Sequence, residues 1–71
     1  MIANNNLMEI LLAKIMYDKN LSIRQVEQMT GVPKSTINDI MNGKSPRLNT
    51  LEQLAMGLGI RISDLFDSPY K

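Results

Sequence analysis

The chain has 71 residues, eight lysines and arginines against seven aspartates and glutamates, a formal net charge of +1, and neither cysteine nor histidine. That length allows one domain with a small core. Without cysteine there are no disulfides or thiolate metal sites, and without histidine the usual zinc ligand and the usual general base are both missing, so no catalytic residue, metal ligand or cofactor is expected.

Residues 1–6 read as a flexible N-terminus, with Asn6 capping a first helix over residues 7–19. Met8, Leu12, Ile15 and Met16 form one apolar stripe at helical spacing, and Leu7, Ile10, Leu11 and Tyr17 widen it beyond what a small domain covers. Two readings are open: a broad core face, or a subunit interface, since a monomer seldom leaves a large apolar patch in water. The longest apolar run, residues 10–13, is much too short to span a membrane, and the first residues lack the layout of a signal peptide, so a cytoplasmic location is expected.

Asn20 ends the first helix and Leu21 enters the core. Ser22 caps a second helix, and Gln25, three residues on, completes a capping box; Val26 and Met29 continue its buried face. In the turn Thr30-Gly31-Val32, glycine supplies the positive φ that a Cβ would resist. Pro33 opens a third helix, residues 33–41, because its fixed φ suits a first turn, and Asn42-Gly43 closes it. Ile37, Ile40 and Met41 make the apolar face of this helix, while Lys34, Ser35, Asn38 and Asp39 occupy the other. These are hydrogen-bonding side chains close to a helix N-terminus, where N–H groups and the dipole favour phosphate, and such a helix suits a DNA major groove.

The loop Lys44-Ser45-Pro46-Arg47-Leu48 follows, then a fourth helix that Asn49 caps with Glu52 three residues on. Leu51, Leu54, Ala55 and Leu58 give that helix a core stripe; Gly57 weakens it by about 1 kcal/mol relative to alanine, and Gly59 is a C-cap. Ser63 starts a short fifth helix, Phe66 closes the bottom of the core, and residues 67–71 form a tail in which Pro69 discourages further helix. Charge is unevenly spread: Arg24, Lys34, Lys44 and Arg47 lie between residues 22 and 50 against Glu27 and Asp39, whereas Glu52, Asp64 and Asp67 come later. A solvated face and a surface for nucleic acid both fit that distribution.

The ordered set Leu21-Ser22, Val26, Gly31-Val32, Ser35-Thr36-Ile37, Ile40, Asn42-Gly43-Lys44, Leu48, Thr50-Leu51, Leu54-Ala55, Leu58-Gly59 and Asp64-Leu65-Phe66 resembles the lambda repressor and Cro-like helix-turn-helix domains, the XRE family. The resemblance covers residues 7–66 and implies an all-α fold, a compact five-helix bundle with a central helix-turn-helix. It implies a sequence-specific DNA-binding regulator, a repressor by expectation, that lays the helix over residues 33–41 in the major groove of double-stranded DNA. One small module with few cations binds weakly, so a homodimer on a pseudo-palindromic operator is expected, at the nucleoid in the cytoplasm.

The resemblance also assigns residues. Lys34, Ser35, Asn38 and Asp39 are the candidate base contacts, with Lys34 donating to guanine, Asn38 pairing with adenine and Asp39 accepting from cytosine. Arg24, Thr36, Lys44, Ser45 and Arg47 are the candidate phosphate contacts. Base and phosphate roles stay open for Ser35 and Thr36, and Asp39 has an equally good role as a solvent-exposed or helix-pairing side chain. Ile62, Leu65 and Tyr70 are dimer candidates.

Three departures from the family stand out. Ile23 takes a place where many members carry a glutamine that touches both the DNA backbone and the reading helix. Glu27 takes a place where a small residue usually lets the two helices approach; its stem is expected to pack and its carboxylate to reach solvent or a cation. Met16 and Met41 stand where some relatives hold a buried arginine–glutamate pair, and are expected to touch in the core. The competing function is a protein-interaction module, such as an antitoxin or anti-repressor, that docks a partner on the apolar first helix.

Overall fold

Local signals place most of the helix boundaries. Ser22 Oγ accepts from the Gln25 N–H at 3.1 Å while Gln25 Oε1 accepts from the Ser22 N–H at 2.8 Å, the reciprocal capping box. The computed structural model describes residues 9–68. They form a strand β1 (Glu9–Ile10), helices α1 (Leu12–Asp18), α2 (Ile23–Thr30), α3 (Lys34–Met41) and α4 (Leu48–Leu58), a single 3-10 turn (Ile62–Asp64) and a strand β2 (Phe66–Asp67). The described chain is thus mostly helical with four α-helices, and the expected five-helix count is corrected.

The ends of the chain explain that correction. β1 pairs antiparallel with β2, Glu9 opposite Asp67 and Ile10 opposite Phe66, and the Leu11 N–H donates to the Leu65 carbonyl at 2.8 Å. Backbone groups committed to a distant segment cannot also build a helical ladder, so α1 begins at Leu12 and not at residue 7. The proposed cap Asn6 and the stripe residues Leu7 and Met8 lie outside the described residues. After α4 the described chain makes one 3-10 turn before β2; its N-cap is Arg61 and not Ser63, and the Asp64 carboxylate accepts from the Arg61 N–H at 3.0 Å. Leu65, fully buried, closes the core where Phe66 was expected; Phe66 is half-buried in β2. Burial removes Leu65 as a dimer candidate, Ile62 is half-buried, and Tyr70 lies outside the described residues.

Leu12, Met16, Val26, Val32, Ile37, Ile40, Leu51, Leu54, Ala55, Leu58 and Leu65 make one core cluster. On α2 the inward positions are Val26 and Thr30, four apart, which turns Met29 to the rim, 46% exposed. On α3 they are Ile37 and Ile40, and Met41, one step further round, is 40% exposed while Met16 is 5% exposed. The expected core contact between two buried methionines is therefore corrected at Met41. α4 starts at Leu48 with Arg47 as a backbone N-cap and no side-chain cap, which places Asn49 inside the first turn instead of at its cap.

Gly57 carries the closest packing. A Cβ built on it would lie 2.5 Å from the Met29 carbonyl oxygen and 2.6 Å from Thr30 Cα, so α4 crosses α2 with no room for a methyl group. Glycine is here a steric requirement and not only a weak helix former. Gly57→Ala gains about 1 kcal/mol of helix propensity but meets an overpacking cost of about 1–3 kcal/mol against unyielding backbone, so net destabilisation is expected. Urea unfolding of the variant checks this; a more stable Gly57→Ala protein would show that the two helices have space to spare.

Candidate nucleic-acid interface

The turn between α2 and α3 is built from short-range bonds. Gly31 has φ +76° and its N–H donates to the Glu27 carbonyl at 2.8 Å. Buried Thr30 ties the turn twice, its hydroxyl donating to the Val26 carbonyl at 2.7 Å and accepting from the Val32 N–H at 3.1 Å. From the next layer Gln53 of α4 donates through Nε2 to the Thr30 carbonyl at 3.1 Å. Val32, 1% exposed, then anchors the chain in the core before α3 leaves it. The result is a helix-turn-helix whose second helix is buried along Ile37 and Ile40 and open along its other side.

Lys34, Ser35, Asn38 and Asp39 are all exposed on that open side of α3, and Thr36 is half-buried. Pro33 is the N-cap, just outside the helix it was expected to open. At the other end Gly43, φ +100°, reverses the chain so that the Lys44 N–H donates to the Asp39 carbonyl at 2.9 Å and the Gly43 N–H to the Ile40 carbonyl at 3.0 Å. This return places the loop against the helix. Thr36, Asp39, Lys44, Ser45 and Arg47 then line one cleft of about 320 Å³, together with Ile40, Pro46 and Thr50. Four of the five candidate phosphate contacts thus meet around one concavity, and Arg24, exposed in the first turn of α2, stands outside it.

Asp39 is the acidic group in this cleft. Its carboxylate lies 3.8 Å from Lys44 Nζ, with both side chains more than half exposed, at 52% and 74%. Such a pair adds little to stability, but it puts a negative charge where an anion would meet Lys44. Glu27 is half-buried, and at the exposed end of its side chain Oε2 accepts from the Lys34 N–H at 3.0 Å, at the very start of α3. Ile23, half-buried, packs against the core. Two residues of this region, Thr50 and Gln53, and the bond that Glu27 makes escaped sequence reasoning. Thr50 had a signal, since it lies in the first helical turn after the cationic loop. Gln53 and the Glu27 bond had none, because both depend on how the helices pack.

This architecture defines a helix-turn-helix protein whose second helix is open along one side beside a cation-bearing cleft. The sequence profile of the Cro/C1-type HTH DNA-binding domain matches residues 12–69, and the chain belongs to that family. Comparison with curated proteins finds no match. Among the described residues no helix is long and apolar enough to cross a membrane.

The ion pair yields a test. Asp39→Asn is expected to change folding stability by less than about 0.5 kcal/mol, as exposed pairs do. Binding to random-sequence duplex should tighten, with a salt dependence steeper by about one released counterion, because Lys44 no longer shares its charge. Titration at several salt concentrations reads both. Unchanged random-sequence binding, with preference lost at one base pair only, would instead assign Asp39 to a base.

Proposed function

We propose that this chain is a sequence-specific transcriptional regulator, a repressor, that binds a pseudo-palindromic operator in double-stranded DNA as a homodimer at the nucleoid. The observation that carries the reading is the adjacency of two surfaces: the open side of α3, with Lys34, Ser35 and Asn38, and the cleft holding Thr36, Lys44, Ser45 and Arg47. A major groove admits one helix, and the phosphates along its edge pass beside that helix, so both surfaces are engaged together. Lys34 is assigned to guanine O6 or N7, Asn38 to an adenine, and Ser35 to a base edge. Lys44, Ser45, Arg47, Thr36 and Arg24 are assigned to the backbone, where they set register without reading sequence.

Pairing follows from affinity. One module with four cations near its reading face gives weak binding at physiological salt, and two copies related by a two-fold axis give a useful site with half-sites about one helical turn apart. Occupancy of a promoter is enough to block transcription, which makes repression the proposed sign of regulation.

The competing reading, a module that docks a protein on its first helix, loses support from burial. Leu12 and Met16 are in the core and Ile15 packs against it, which leaves Tyr17, 86% exposed, as the large exposed apolar side chain of α1 among the described residues.

Selection of bound fragments from a randomised duplex pool should return a two-fold-related motif. On that duplex, Lys34→Ala is expected to relax preference at one base pair per half-site by about 1–3 kcal/mol. Arg47→Ala should weaken all sequences alike and flatten the salt slope by about one. Equal behaviour of the two variants would overturn the division of roles, and recovery of no motif would overturn the function.

A further inference from the structure

The first amide of α3 is held from outside its own helix. Lys34 is the first residue of α3, and Pro33, its N-cap, has no amide hydrogen and makes no side-chain cap bond. The acceptor comes from α2 instead, as Glu27 Oε2 lies 3.0 Å from the Lys34 nitrogen. The carbonyl of the same Glu27 accepts the Gly31 N–H at 2.8 Å. One residue therefore closes α2 with its backbone and opens α3 with its side chain, spanning the turn between them. Ile23, one helical turn earlier on α2, is apolar and packs against the core, so it offers no polar link of this kind.

Lys34 itself is exposed, and its side chain departs from the backbone unit that Glu27 holds. We propose that Glu27 is the positioning residue for Lys34: by pinning the first amide of the reading helix it fixes the angle at which the lysine enters the groove, and so sharpens preference at one base pair without itself touching DNA. The inference rests on the DNA-reading function proposed above. A second consequence follows from charge. A carboxylate at the positive end of α3 offsets part of the attraction that the helix start has for any phosphate, so Glu27 also disfavours contact that ignores sequence.

The test is a double-mutant cycle on the selected duplex and its single-base-pair variants, using Glu27→Ala, Glu27→Gln, Lys34→Ala and the Glu27→Ala/Lys34→Ala pair, with folding of each checked by thermal melting. Glu27→Ala is expected to lose about fivefold to tenfold of preference at the base pair that Lys34→Ala relaxes, and the double variant to be no worse than Lys34→Ala alone. Glu27→Gln keeps an oxygen acceptor and should stay within about twofold of the native preference. Hydrogen exchange of the Lys34 amide should be slow in the native protein and in Glu27→Gln, and at least about tenfold faster in Glu27→Ala. A native preference profile in Glu27→Ala, a loss spread evenly over all base pairs, or additive effects in the double variant would overturn the proposal. If the native protein shows no base preference, the DNA-reading function fails and the role of Glu27 in specificity fails with it; a protected Lys34 amide in that case separates this failure from an absent clamp.

Discussion

The structure depends on how closely α4 approaches the end of α2. At Gly57 the two backbones come so near that a Cβ would fall within 2.6 Å of Thr30 Cα, and four residues earlier on α4 Gln53 donates to the Thr30 carbonyl at 3.1 Å. Thr30 in turn holds Val32 through its hydroxyl, so α4 fixes the turn from behind and the turn fixes the departure of α3. The core side of the arrangement is apolar, with Leu54 and Ala55 of α4 clustered with Val26 and Ile37. Burial of that stripe is what brings α4 to α2; the glycine decides how near it comes.

α3 is therefore a rigidly presented element, held along one face and tied at both ends. Its start is bonded to Glu27, and its end is folded back on itself through Gly43, which returns Lys44 to Asp39. Rigid presentation matters for reading bases, because a hydrogen bond to a base edge discriminates only when its donor arrives at a set angle. The two carboxylates at the ends of α3 share a further property: each offsets positive charge that would otherwise attract any phosphate. Of the eight cations of a near-neutral chain, Lys44 and Arg47 line the cleft beside α3, which Asp39 of that helix also lines.

What was legible in the sequence is what depends on neighbours in the sequence. The capping box of Ser22 and Gln25, the left-handed Gly31 and Gly59, and the left-handed Asn20, φ +58°, that follows the end of α1 are each decided within a few residues. Four of the five expected helices and the core stripe of α4 follow from periodicity. What was not legible depends on partners far along the chain. Residues 9–11 look helical by composition, but β2 and Leu65 take their backbone bonds. Gly57 looks like a weak point and is a contact point. Met29 and Met41 carry apolar side chains at positions that periodicity alone makes buried, and lie on the rim because Thr30 and Ile40 take the inward places. In the candidate site the cationic loop was visible as composition, whereas its closure onto Asp39 needed the reversal at Gly43. The Glu27 bond had no sequence signal at all.

The measurement that bears most directly on the central claim is amide chemical-shift mapping of the labelled protein during titration with a short duplex carrying the selected motif. Shifts are expected to concentrate on Lys34, Ser35, Thr36 and Asn38 of α3, on Lys44, Ser45 and Arg47 of the loop and on Arg24, while α1 and the β1–β2 ribbon stay still. Shifts concentrated on α1 or the ribbon, or none at saturating duplex, would contradict that claim and place the working surface of this protein elsewhere.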